Sequence, residues 1–205
     1  MNNFKKIPKH IGIIPDGNRR WAADNGLEKD KGYENGIDAG VQLCEMMQEY
    51  GIEEATFYGF TTANNKRPKY QREAFTKACV KSVFEMTEKD ANILVVGNHE
   101  TDIFPKELLP FANKRIKFGK GKININFLIN YNWKQDIGKE MLSKEISRLD
   151  LIIRWGGQKR LSGFLPIQSV YSDFYFVDNY WPNFKEQDFL DALMWYQNCD
   201  VTLGG

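Results

Sequence analysis

The sequence is poor in the residues that build metal or disulfide centres: it has three cysteines, Cys44, Cys79 and Cys199, and two histidines, His10 and His99. An odd number of thiols at unrelated spacings makes no disulfide framework, and with both histidines in no ligand-like spacing a zinc site is excluded too. Net charge is almost absent, since 28 Lys and Arg stand against 27 Asp and Glu, a balance of +1. No global field therefore draws the chain to nucleic acid or to an anionic membrane surface, and any basic site must be local. Long apolar runs are missing as well. No stretch reaches the length of a membrane span, and Met1–Lys9 is polar, without the apolar core of a secretion signal. The expectation is a cytoplasmic protein with reduced thiols, no nucleic-acid partner and no stable membrane insertion. The 205 residues show neither repeats nor low-complexity linkers and suit a single domain, 1–205, with an ample core.

What is present is an alternation of short apolar runs with helix-period segments. Strands are expected at Ile11–Ile14, Ala55–Phe60, Ile93–Val96, Ile123–Ile129, Leu149–Ile153 and Tyr171–Val177. Helices are expected at Tyr33–Tyr50, Tyr70–Lys89, Pro105–Lys117 in the main, Gln135–Arg148 and Lys185–Asn198. This order points to an α/β fold with a central, mostly parallel sheet flanked by helices. Gly119–Lys122 lacks the GxxxxGK[ST] pattern of a phosphate loop and is a turn.

Two stretches carry chemistry. In His10–Trp21, HIGIIPDGNRRW, an apolar strand runs through turn residues and delivers Asp16 at a strand's C-terminal end, ahead of Arg19 and Arg20. Ligands of open α/β sheets bind at that edge, and a helix start with two arginines favours a phosphate. A carboxylate beside a phosphate repels it unless a hard cation lies between them, so Asp16 implies Mg2+. The alternative is a helix N-cap with surface arginines. The second stretch, Arg154–Ser162, RWGGQKRLS, leaves the most apolar strand of the C-terminal half with Arg154, Arg160 and a serine hydroxyl able to hold a second anion. A plain basic surface loop is its alternative. Asp173 lies inside an aromatic strand, where an unpaired carboxylate is expensive, and so calls for a cation or metal partner. His10 and His99 read as structural.

HIGIIPDGNRRWA, FTTANNKRP, the segment Asn130-Tyr131 to Asp136, DLIIRWGGQKRLSGFLPIQ, YSDFYFVD and WPNF together resemble the cis-prenyltransferase family, that of undecaprenyl diphosphate synthase. The resemblance runs in order over nearly the whole chain. It implies an enzyme, a prenyltransferase, acting as a homodimer, with a hydrophobic cavity beneath the sheet's C-terminal edge and Mg2+ as cofactor. By the same resemblance Asp16, Asn18 and Asn64 are catalytic. Gly17, Arg19, Arg20, Trp21, Lys29, Tyr33, Arg67, Arg154, Gly157, Arg160 and Ser162 bind substrate, and Asp16 and Asp173 bind metal, Asp173 standing for a glutamate.

The departures from that pattern are Pro15, Lys29, Tyr33, Thr61–Asn65, Trp155, Gln158, Lys159 and Gly163. Trp155 replaces a small residue and is expected to add bulk near the second diphosphate. The segment between Trp133 and Asp150 is shortened, and Val201-Thr202 stands where basic residues are usual. Pro-Asp-Gly, Asp30-x-Gly-Tyr33, Ala-Asn-x-x-Arg, Arg-x-Gly-Gly and Phe-x-Pro resemble the lavandulyl and cyclolavandulyl diphosphate synthase branch. That branch joins dimethylallyl diphosphate to a second allylic unit at a branching carbon. The implied substrates are allylic diphosphates, namely dimethylallyl, geranyl or farnesyl diphosphate, with isopentenyl diphosphate as partner if the coupling is regular. Regular condensation to a C10–C15 chain, a terpene cyclase on the same fold and an inactive partner subunit are the alternatives. Phe75, Cys79, Val83, Met86, Phe111 and Phe127 are candidates for the cavity floor.

Overall fold

The computed structural model describes residues 3–138 and 140–200. The apolar runs form seven strands: β1 His10–Ile14, β2 Glu54–Tyr58, β3 Ala91–Val96, β4 Ile116–Lys117, β5 Ile123–Leu128, β6 Leu151–Arg154 and β7 Asp173–Phe176. They make one sheet in the order β4-β3-β5-β2-β1-β6-β7, parallel throughout except where β4 pairs β3. Side chains alternate across a strand, so Ile11 and Ile13 enter one layer and Ile14 the other. Helices α3 (Ile37–Glu49), α4 (Lys69–Thr87) and α6 (Glu186–Tyr196) cover the first layer with Leu43, Met47, Val83, Met86, Phe189 and Leu193. Turns that carry Ile146, Leu149, Phe164 and Leu165 close the second.

Three expected elements differ, each for a local reason. The helix expected over Tyr33–Tyr50 is two, α2 (Lys31–Glu34) and α3, broken at Gly36, whose carbonyl accepts the Trp181 indole N–H at 2.7 Å. In Pro105–Lys117 a 3-10 helix, Lys106–Phe111, contains Pro110, and the chain then turns into β4. The helix expected over Gln135–Arg148 shrinks to α5, Trp133–Asp136. Buried Asp136 takes the Ser143 N–H at 3.1 Å and its hydroxyl at 2.7 Å, and it accepts the Tyr131 hydroxyl. Gln168 donates to both oxygens of Ser143. A helix would need those same backbone groups, and the side-chain bonds win them.

At the N-terminal end of the second layer lies a buried polar seam. His10 Nε2 meets Thr56 Oγ1 at 2.8 Å, while Asn126 donates to Glu54 at 2.7 Å and to Thr56 at 2.9 Å. Ser147 Oγ donates to Glu54 at 2.6 Å. Burial pushes the His10 pKa below its ordinary 6.5, against an opposing pull from Glu54. As pH falls the unfolded chain therefore takes up the proton first, and stability drops below about pH 6.5 until the buried ring titrates as well. Melting temperatures measured at about pH 7.5 and pH 5.5 should show a larger acid loss for wild type than for His10→Gln. Equal losses would show that His10 does not control this window.

Candidate active site

β1, β2 and β6 end side by side, and a cleft of about 800 Å3 opens over Ile14, Tyr58 and Arg154, the last residues of the three strands. Six cations line it, Arg19, Arg20, Lys29, Arg67, Arg154 and Arg160, with one carboxylate, that of Asp16. A surface so one-sided receives anions.

The Asp16 turn is fixed from both sides. Asp16 N–H donates back to Ile14 O at 2.9 Å, and Gly17 N–H donates to Asp16 Oδ1 at 2.6 Å. Gly17 has φ of +101°, and a Cβ there would lie 2.7 Å from the Tyr180 ring, so only glycine serves. Asn18 opens α1 (Asn18–Asp24) and donates its side-chain amide to Pro15 O at 2.8 Å. Gly32 in α2 lets the backbones touch, for its Cβ would fall 1.9 Å from Asn18 O. That approach carries Lys29 and Tyr33 to the cleft. Tyr33 stacks on Phe75, centroids 4.5 Å apart, and its hydroxyl accepts from Arg67 Nη1 at 3.0 Å. Burial raises the Tyr33 pKa more than Arg67 lowers it, so the phenol is neutral. Asn64 Oδ1 accepts the Thr61 N–H at 3.1 Å within a 3-10 turn, Thr62–Lys66.

Arg154 joins the two halves. Its Nη2 donates to Asp16 Oδ2 at 2.8 Å, and its Nη1 donates to Ser162 Oγ at 2.9 Å and to the Arg160 carbonyl. Tyr58 donates its hydroxyl to Ser162 O at 2.8 Å, and Arg160 Nη1 reaches Gln158 Oε1 at 2.7 Å. Arg20 stands 3.5 Å from Asp16. Beneath the cleft lies an apolar cavity of about 70 Å3 between α3, α4 and the sheet. Of the expected floor candidates, Phe75, Cys79, Met86 and Phe127 line it, joined by Phe57 and Trp181; Val83 and Phe111 do not line it.

Asp16, Gly17, Asn18, Arg19, Arg20, Lys29, Tyr33, Asn64, Arg67, Arg154, Arg160 and Ser162 thus gather in one cleft. Four residues stand elsewhere than expected. Trp21 lies outside the cleft lining and donates its indole N–H to Asn183 at 2.7 Å. Gly157, with φ of +68°, joins the loop to Val177 O at 3.0 Å and also lies outside the lining. Asp173 is level with Leu151 and Ile11 at the other end of the sheet, about 10 Å upstream of Ile14 along the strands, and cannot share a metal with Asp16 within this chain. Trp155 continues the alternation of Leu151 and Ile153, so its indole enters the helix-covered core and adds no bulk to the cleft. Val201-Thr202 lies outside the described residues. Tyr58 and Gly59 line the cleft without having been singled out; their signal was position, at the end of the strand that leads to Asn64.

The prenyltransferase family model described as undecaprenyl diphosphate synthase matches residues 14–143 and 137–204. The chain belongs to this family. The two matched stretches meet where the shortened segment replaces the expected helix. Isoprenyl transferases of Listeria monocytogenes and Streptococcus thermophilus are 31% and 33% identical to it, over 97% of this chain and 91% and 94% of theirs. The fold is shared with a lavandulyl diphosphate synthase from Lavandula x intermedia, solved with dimethylallyl diphosphate. That match has a TM-score of 0.82 and 21% identity, over 97% of this chain and 99% of that one. By membership the chain is a prenyltransferase.

The Mg2+ implied for the family fits the donors present. The Asp16 side chain is 32% exposed, and no group of three His, Cys, Asp or Glu side chains accompanies it among the described residues. One carboxylate completed by phosphate oxygens and water is an ordinary set for Mg2+. Arg154→Met should strand Asp16 and the Ser162 loop without their shared donor. Urea unfolding is expected to show a loss of about 2–4 kcal/mol, because the arginine side chain is nearly buried. A loss under about 0.5 kcal/mol would mean the pair behaves as a surface ion pair.

Proposed function

We propose that the chain is a Mg2+-dependent short-chain prenyl diphosphate synthase that couples two dimethylallyl diphosphates at a branching carbon. The carrying observation is the pairing of a cleft lined by six cations with a tail cavity of only about 70 Å3. A cavity of roughly 150 Å3 is needed to hold a benzene ring, so a space less than half of that leaves no room for a long tail and favours the shortest allylic substrate. The departures that resemble the lavandulyl branch also meet in space. Tyr33 bonds Arg67, Gly32 packs on Asn18, and Asn18 bonds Pro15.

In this reading Arg19, Arg20 and the unpaired N–H groups at the start of α1 hold the first allylic diphosphate. Asp16 would hold the Mg2+, which neutralises charge on the departing oxygens. The allylic C–O bond breaks and diphosphate leaves with its electron pair. The second unit's double bond then forms the new C–C bond, and the released diphosphate takes the proton that restores an alkene. Arg154, Arg160 and Ser162 hold the second diphosphate in register, an orientation effect. Asn64, tied to Thr61, and Arg67, tied to Tyr33, fix the rim.

The single domain would act in the cytoplasm as a homodimer. Supporting this, edge strand β7 has half-buried Phe174, Tyr175 and Phe176 beside exposed Ile167, Val170 and Tyr171. No helix among the described residues is long and apolar enough to cross a membrane. The deciding assay incubates the protein with Mg2+ and dimethylallyl diphosphate, with and without isopentenyl diphosphate, and identifies products after phosphatase treatment. A branched or cyclic C10 alcohol from the allylic substrate alone is expected. A linear product strictly dependent on isopentenyl diphosphate would make the enzyme a regular condensing synthase. Asp16→Ala should lower the rate by about 10²-fold or more, as loss of transition-state charge stabilisation does.

A further inference from the structure

One wall of the tail cavity is built from two indoles, one behind the other. Trp181 lines the cavity and donates its N–H to Gly36 O at 2.7 Å. A Cβ on Gly36 would lie 2.5 Å from Trp181 Cδ1, so this indole sits flush on the break between α2 and α3. Trp155 meets it edge-on, with centroids 4.9 Å apart and planes at 78°. Phe184 closes against both, 5.9 Å from Trp155 and 5.8 Å from Trp181. Trp155 is 0% exposed, and its Nε1 meets no acceptor. An unpaired buried donor is costly, and this ring lines neither the cleft nor the cavity. What it supplies is volume behind Trp181.

The other large walls are carried by regular elements: Ile37 by α3, Met86 by α4, Phe57 by β2 and Phe127 by β5. Trp181 stands on a three-residue turn, Trp181–Asn183, with aromatic rings as its backing. We propose that Trp155 is a positioning residue that sets the length of prenyl tail accepted, by pressing Trp181 against Gly36. The proposal rests on the reading of the cleft as a receptor for allylic diphosphates. A densely packed core offers no room for a longer tail unless a neighbour is cut away, and the space behind Trp181 is Trp155 itself.

The test measures equilibrium binding of the S-thiolo analogues of dimethylallyl and geranyl diphosphate, with Mg2+, to wild type, Trp155→Phe, Trp155→Leu and Trp155→Thr. The quantity read is the ratio of the two dissociation constants. Wild type should favour the five-carbon analogue. The ratio should shift toward the ten-carbon analogue by about tenfold or more in the Leu and Thr variants, and by less in Phe. Inorganic diphosphate should bind all four alike. A merely structural role would weaken both analogues together, and a ratio that stays flat from Trp through Phe to Leu overturns the proposal even if Thr fails to fold. If neither analogue binds wild type, the assignment of the cleft to allylic diphosphates fails, and the role of Trp155 falls with it.

Discussion

The site depends on one charge pair, Asp16 with Arg154. Six cations share the cleft, and a single carboxylate faces them. Arg154 is the least exposed arginine of the group for which an ion pair is formed, with 5% of its side chain accessible, against 41% for Arg20. Its two terminal nitrogens donate to Asp16, to Ser162 Oγ and to the Arg160 carbonyl, while its buried Nε–H meets no acceptor. Those three acceptors lie on both sequence motifs. The pair therefore holds the Asp16 turn and the Arg160–Ser162 loop at one separation.

The backbone meets this constraint with conformations that most residues resist. Gly17 takes a positive φ beneath Tyr180, and Ser162 takes φ of +57° so that its hydroxyl faces Arg154 while its carbonyl accepts from Tyr58. A serine in the left-handed region is uncommon, and here side-chain bonds on both sides hold it there. The parallel sheet brings the motifs together across 138 residues of sequence, because β1 lies between β2 and β6 and all three deliver their C-terminal residues to one edge.

That edge was legible in the sequence because apolar runs and their sequels report strand direction: Ile11–Ile14 leads to Asp16, Ala55–Phe60 to Asn64 and Leu149–Ile153 to Arg154. What escaped was information carried by neighbours distant in sequence. Asp173 looked like a ligand because it is acidic in an aromatic strand, but only the register of β7 on β6 shows that it starts the strand and does not end it. The segment after Asp136 had helical periodicity. It is captured by a buried carboxylate, and nothing local announces that Gln168 will complete the capture. Trp155 was misjudged by adjacency to Arg154. Consecutive residues on a strand face opposite sides, so the arginine reaching the cleft put the indole in the core.

Head and tail geometry are coupled through one short turn. The backbone N–H of Trp181 donates to Asp16 O at 3.0 Å, while its indole donates to Gly36 O at 2.7 Å and walls the apolar cavity. A residue bonded to the Asp16 turn by its main chain and facing the cavity with its side chain cannot move for one without strain on the other. Tyr180, next to it, packs under Gly17, and Arg20 lies 5.0 Å above the Tyr180 ring. Tyr180 and Trp181 thus back the Asp16 turn, and Trp181 also walls the apolar cavity. In the reaction proposed above, the depth to which a tail sinks would decide where its diphosphate stands beside Asp16. A rigid, ring-filled boundary between the two compartments fixes that depth more firmly than flexible aliphatic side chains could.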